Sequence, residues 1–149
     1  MLKNYASTSP LPNIFEAIEK TLAEHGARQI VKNYDHQGRI VEMSFVVETA
    51  HGVLPIRIPV KFDNVEKKLQ EQGVRYKPDQ PYRTAWATVR DWIAAQMAFV
   101  DWEQIKVEQA FLSYGITPTG QTFFEVIQDG GFRLESGPKD KVEEGKVID

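Results

Sequence analysis

The chain has 149 residues, of which 42% are hydrophobic and 26% charged, and its net charge is −3 at neutral pH. This balance is typical of one folded domain rather than of a disordered segment. The sequence contains no cysteine, which excludes disulfides, thiol catalysis and cysteine-ligated metals. No apolar run approaches the roughly 20 residues that a membrane-spanning helix needs, so we expect no contact with a membrane.

The first twelve residues are predicted to form an extended arm, because Pro10 and Pro12 bias the residues before them away from the helical conformation. A helix should follow over residues 13–25, with Asn13 as its N-cap and Gly26 at its end. Its predicted core face consists of Ile14, Ile18 and Leu22, which recur at helical spacing.

Three antiparallel strands are predicted next, joined by turns at residues 35–38 and 49–52 that each end in glycine. Pairing Glu48 with Val53 across the second turn sets the register of strands two and three. The pairs that then face each other on the apolar side are Val47 with Leu54, Phe45 with Ile56, Met43 with Ile58, and Val41 with Val60. The other side carries Glu42, Ser44, Glu48 and Arg57.

The outer strands of this sheet are predicted from residues that suit an edge. Pairing residues across the first turn in the same way places Lys32 of the first strand opposite Val41 on the inward side. Basic residues protect an edge strand from unwanted pairing. Pro55 and Pro59 favour the third strand as the second edge, since proline donates no backbone hydrogen bond.

Helices are predicted for the second half of the chain. The pattern indicates a short polar helix over 63–72, a loop over 74–81, a long helix over 82–100 and a short helix over about 106–112. Residues 122–127 form a last apolar segment, helix or strand. We expect an α+β fold of order α-β-β-β-α-α-α with the long helix packed on the sheet. One domain should span residues 13–128, and the charged residues 129–149 should form a mobile tail.

The long helix is unusual because Arg83, Arg90 and Asp91 are its only charged residues between Tyr82 and Val100. Both sides of the helix are apolar, so we expect cover on more than one side, from the rest of the chain or from a second copy. The predicted interface residues on its alanine-rich side are Ala87, Ala94, Ala98 and Trp92.

A cluster of basic and aromatic residues lies at the start of this helix and in the loop before it. Cations beside aromatic rings suit a nucleic-acid backbone and unstacked bases. The candidate nucleic-acid-binding residues are Arg75, Tyr76, Lys77, Arg83 and Arg90. The alternative interpretation is that Trp86 belongs to the core while the arginines pair with Asp79 or Asp91.

No catalytic constellation is recognisable, so we assign no catalytic residues, no metal and no cofactor. His36 and His51 fall in successive turns at opposite ends of strand two and cannot act together. His25 could join Glu24 or Glu48 in a metal site, but no spacing requires it. Phosphate-binding glycine loops and hydrolase motifs are also missing. The protein is therefore predicted to be non-enzymatic.

At several short residue pairs, the sequence resembles a group of uncharacterised small proteins that phages, prophages and plasmids encode. The resemblance covers about residues 13–125 and is carried by Gly26-Ala27, Ala85-Trp86, Asp91-Trp92, Ala95-Gln96, Phe111-Leu112, Tyr114 and Gly120-Gln121-Thr122. Ala87 departs from the pattern, because a basic residue is expected after the tryptophan. The resemblance implies an origin in a mobile element and a location in the bacterial cytoplasm. It implies no activity.

Two functional hypotheses follow. The first is an accessory protein that binds nucleic acid in replication, annealing or recombination, by analogy with other α-β-β-β-α modules. The alternative is a protein-interaction module that forms a homo-oligomer or inhibits a host or phage protein, and it rests on the alanine-rich side of the long helix. The sequence predicts no binding partner beyond these classes.

Overall fold

A computed structural model of the protein describes residues 2–133, so most of the predicted tail lies outside the described residues. The elements follow the predicted α+β order. They are α1 (Leu11–Glu24), β1 (Ala27–Tyr34), β2 (Ile40–Thr49), β3 (Gly52–Pro59), α2 (Phe62–Glu71), α3 (Gln80–Asp101), α4 (Val107–Phe111) and α5 (Phe123–Asp129), with a 3-10 turn at Leu112–Tyr114. The last apolar segment is thus a helix, and Thr122 caps it by accepting a hydrogen bond from the Glu125 N–H.

The first helix begins earlier than predicted. Its N-cap is Pro10, which makes no side-chain cap, and Asn13 lies inside the first turn. The predicted Asn13 cap is therefore wrong. Proline at the first positions is well suited to a helix start, because the N–H groups there have no partner within the helix. Residues 2–10 form the N-terminal arm, which packs against α3 through hydrogen bonds described below.

The sheet is antiparallel in the order β1-β2-β3, so both outer strands are edges as predicted. The register of β2 and β3 is confirmed, with Phe45 opposite Ile56 and Met43 opposite Ile58. All four side chains are buried. The other face carries the half-buried Arg57, in line with the predicted alternation.

The register predicted for β1 is wrong, because Lys32 lies opposite Met43 rather than Val41. The first turn is one residue longer than predicted, and a register shift between Asn33 and Tyr34 adds a second residue. The Asp35 N–H donates to the Arg39 carbonyl, and the Asp35 carboxylate accepts from the Gln37 and Arg39 N–H groups. A second irregularity falls between Arg28 and Val31, where Gln29 has a positive φ of 54°.

One core joins α1, the sheet, α3 and α4. Trp86 is fully buried at its centre, and its indole N–H donates to the Ile40 carbonyl at 3.0 Å. The Tyr82 hydroxyl accepts the Ile40 N–H at 2.7 Å, so two side chains of α3 fix the start of β2. Helices α1, α2 and α4 all pack on α3. The long helix is therefore the central element, as predicted.

Candidate functional site

Four of the five predicted nucleic-acid-binding residues line one groove. Arg75, Tyr76, Lys77 and Arg83 surround an open cavity of about 610 Å³ between the N-terminal arm and the loop that precedes α3. Tyr5 of the arm and Asp79 also line it. Three cations and one carboxylate therefore face the same space, which we call the basic groove.

Two of these four residues, Arg83 and Tyr76, make side-chain hydrogen bonds within the protein. Arg83 donates to the Ser9 carbonyl at 3.0 Å and to the Asp79 carboxylate at 2.7 Å, and this hydrogen bond holds the pKa of Asp79 below its ordinary value. The Tyr76 hydroxyl donates to Glu66 and accepts from Gln70.

The side chains of Arg75 and Lys77 are exposed, and within residues 2–133 neither makes a hydrogen bond or an ion pair. Among the residues that the structure describes, the free cations of the basic groove are thus Arg75 and Lys77.

Arg90 lies outside the basic groove. Its guanidinium donates to Asp91 at 2.9 Å, and Asp91 also accepts from the Asn4 amide and pairs with Lys3. Burial raises the pKa of Asp91, but the Arg90 and Asn4 donors outweigh it and the pKa lies below its ordinary value. Trp86 is core, and the two arginines of α3, Arg83 and Arg90, pair with Asp79 and Asp91, as the alternative interpretation predicted.

The predicted interface residues divide into two groups. Ala94 and Ala98 are exposed, whereas Ala87 is completely buried and Trp92 packs edge-on against Phe111 and Tyr114 at 5.5 Å. The prediction that Ala87 contacts a partner is wrong. Helical spacing places residues on one side of a helix, but it cannot show how far along that side a neighbouring element extends.

Two large residues that the prediction missed lie beside the exposed alanines. Phe99 is 53% exposed and Trp102 is 79% exposed. Together with Ala94, Ala95 and Ala98 they form an apolar surface at the C-terminal half of α3, which we call the α3 strip. A sequence signal for it existed, since residues 95, 98, 99 and 102 follow the i, i+3, i+4, i+7 spacing of a helix face.

The histidines and carboxylates of the described residues do not gather into a metal site. Within residues 2–133 no three His, Asp or Glu side chains lie close enough to hold a metal ion. His25 bonds to the Thr21 carbonyl and to Asp101 rather than to Glu24 or Glu48. In the same residues, none of the helices has the length and apolar character to span a bilayer.

Comparison with known proteins adds no relative: no family model, no curated protein and no solved structure matches this chain. The assignment of a function therefore depends on the geometry of the basic groove and of the α3 strip.

Proposed function

We propose that this protein is a protein-interaction module that self-associates through the α3 strip. The observation that carries this proposal is the exposure of Trp102 and Phe99 beside three exposed alanines on one helix face. Tryptophan is among the residues that contribute most to protein interfaces. Contiguous exposed apolar surface on a soluble domain marks an interaction site.

The order of small and large residues along the strip favours a second copy as the partner. Alanines lie at its N-terminal end and the large rings at its C-terminal end. In an antiparallel two-fold pair centred on Ala98, Trp102 of one copy lies opposite Ala94 of the other, so each ring fills the space above a small residue. A parallel pair would place ring against ring and leave the alanines without contact.

The size of the strip indicates a weak dimer. Residues 94–102 span about 12 Å of helix, which is short compared with a standard interface of about 800 Å² per partner. The alanines allow the helix axes to approach to about 8 Å, the lower end of the usual range. We therefore expect a dissociation constant on the order of 10–100 µM.

Sedimentation equilibrium at protein concentrations from about 10 µM to 1 mM tests the proposal. The Trp102→Ala variant should raise the dissociation constant at least about tenfold. Ala98→Glu should abolish association, because its charge would meet its own copy across the two-fold axis. The matched control is Val53→Glu, at a residue that is 63% exposed in β3, and it should leave association unchanged. A protein that stays monomeric at 1 mM would contradict self-association.

The orientation of the pair can be tested separately, since the chain has no natural cysteine. In the antiparallel pair, Ala98→Cys should form an intermolecular disulfide under mild oxidation. Ala94→Cys should not, because its two copies lie about 12 Å apart. Efficient crosslinking of both variants would indicate a parallel pair and overturn the two-fold arrangement.

Nucleic-acid binding is the second candidate function, and the free Arg75 and Lys77 in the basic groove favour it. Fluorescence anisotropy with labelled single-stranded and duplex 20-mers at ~50 mM salt tests it. The Arg75→Ala/Lys77→Ala double variant should lower the affinity about tenfold and reduce the salt slope by about 1.5. The control is Lys20→Ala, an exposed lysine of α1. Failure of both oligonucleotides to bind would remove this candidate.

An origin in a mobile element and a cytoplasmic location remain part of the proposal through the resemblance noted above. The residues that carry this resemblance support a fold shared with those proteins more than a shared binding site. Trp86 and Phe111 are completely buried, Ala85 is buried, and Gly26 has a φ of 87° that favours glycine. Replication genes beside this gene would favour nucleic acid, and genes of host defence would favour an inhibitor.

A further inference from the structure

A second cavity lies between α2, the N-terminal half of α3 and the N-terminal arm. Its volume is about 420 Å³, within the usual range of small-molecule sites. The apolar part of its lining includes Leu69 and Ala85, which are buried, and Val60, Val65 and Val89, which are half-buried. The lining ends at Val89 on α3, so the cavity is separate from the α3 strip.

The charged residues of this lining are all lysines. Lys3, Lys61 and Lys68 contribute to it, and no Asp or Glu among residues 2–133 does so. Lys3 pairs with Asp91 at 3.4 Å and Lys68 with Glu71 at 3.6 Å, so their charges are partly neutralised. Lys61 is exposed and, within the described residues, has no ion pair. Among residues 2–133, Lys61 is thus a free cation beside an apolar cavity.

We propose that this cavity binds a medium-chain carboxylate, with the alkyl chain against Leu69, Ala85 and Val65 and the carboxylate at Lys61. At about 30 Å³ for each heavy atom, the volume holds on the order of a dozen heavy atoms, which matches dodecanoate. The mainly apolar surface of the cavity favours an alkyl chain over a sugar or a nucleotide, whose polar groups would find few hydrogen-bond partners there. The lysines favour an anion over a cation of the same chain length.

The first test is isothermal titration of the full chain with dodecanoate below its micelle concentration, beside dodecanol and dodecyltrimethylammonium. We expect saturable one-to-one binding of dodecanoate, weaker binding of the neutral alcohol and the weakest binding of the cation. Equal affinity for the anion and the cation would overturn the role of the lysines. Absence of saturable dodecanoate binding would overturn the site.

Two variants locate the ligand. Val65→Phe puts a ring where the alkyl chain would lie and should lower the dodecanoate affinity at least about tenfold, while Lys61→Glu should lower it roughly five- to tenfold by replacing attraction with repulsion. The matched control is Lys67→Glu on the same helix, since Lys67 is exposed and does not line the cavity. Circular dichroism checks that each variant folds. If Val65→Phe folds and binds dodecanoate as tightly as the parent protein does, the ligand lies elsewhere and the proposal fails.

Binding at the α3 strip is the main alternative location, and a further variant separates the two. Trp102→Ala should leave dodecanoate affinity unchanged, because Trp102 does not line the cavity. A loss of dodecanoate binding in Trp102→Ala would assign the ligand to the α3 strip and overturn the cavity site. A monomeric protein that still binds dodecanoate would contradict self-association and leave the carboxylate site standing.

Discussion

His25 shows how a single side chain joins two distant parts of the chain. Its Nδ1–H donates to the Thr21 carbonyl at 2.7 Å, and its Nε2 lies 2.8 Å from the Asp101 carboxylate. Both ring nitrogens therefore face acceptors, an arrangement that only the doubly protonated ring satisfies fully. Burial lowers the pKa of His25, but the Thr21 and Asp101 contacts outweigh it and raise the pKa above 6.5.

The raised pKa predicts a pH-dependent contribution to stability. The contribution is fully present below the unfolded-state pKa of about 6.5 and is lost as pH rises through the higher folded-state pKa. Asp101→Asn should remove much of it, lowering the free energy of unfolding at pH 5.5 by about 0.2–1 kcal/mol and by less at pH 8.5. Urea unfolding at both pH values measures this. Glu103→Gln, at an exposed neighbour, is the control, and an equal loss at both pH values would contradict the mechanism.

At the scale of single elements, the second hairpin could be predicted because its signals are local. The turn at 49–52 and the strict alternation of apolar residues leave one register that buries Phe45 and Ile56. The first hairpin could not be predicted in the same way. Its register depends on the longer turn, across which the Asp35 side chain bonds, and on two register shifts, between Asn33 and Tyr34 and beside Gln29 with its positive φ. No residue type in the sequence indicates these shifts.

The same limit applies to the candidate sites. The sequence placed Arg75, Lys77 and Arg83 in one region, and the structure brings them to one groove. The sequence could not show that the Ser9 carbonyl accepts a hydrogen bond from Arg83, because that contact joins residues 74 positions apart. The exposed side of α3 was likewise predicted only in part, since Ala94 and Ala98 are exposed but Ala87 is buried. Its N-terminal half is covered by neighbouring elements, and its C-terminal half is open on the side of Phe99.

For the whole molecule, the N-terminal arm connects the central helix to both cavities. Thr84 donates to the Asn4 carbonyl at 2.8 Å, and Gln80 donates to the Ser7 carbonyl at 3.1 Å. Tyr5 contributes to the basic groove and to the lysine-lined cavity. Because Gln80 and Thr84 are buried beneath it, the arm belongs to the folded unit rather than forming a free extension.

Removal of the arm should therefore weaken the fold as a whole. Deletion of residues 2–9 removes five hydrogen bonds between the arm and α3. Each has a net value of about 0.5–1.5 kcal/mol, but water replaces some of them and the freed arm regains entropy. We expect a loss of about 1–3 kcal/mol in the free energy of unfolding, measured by urea denaturation at low protein concentration. An unchanged stability would mean that the arm does not contribute to the folded state.

Substitutions at Asn4 separate the bonds of the arm from its backbone conformation. Asn4 has a φ of 60° and its amide donates to Asp91 at 2.9 Å. Asn4→Gly keeps the conformation accessible, loses the amide's bonds to Asp91 and Thr88, and raises the entropy of the unfolded chain. Asn4→Ala loses the same bonds and adds backbone strain of about 1 kcal/mol. Both variants should be less stable than the exposed control Thr8→Ala, with Asn4→Ala the least stable. If Asn4→Gly matches the parent protein, the Asp91 contact contributes nothing and the carbonyl contacts of Asn4, Ser7 and Ser9 hold the arm.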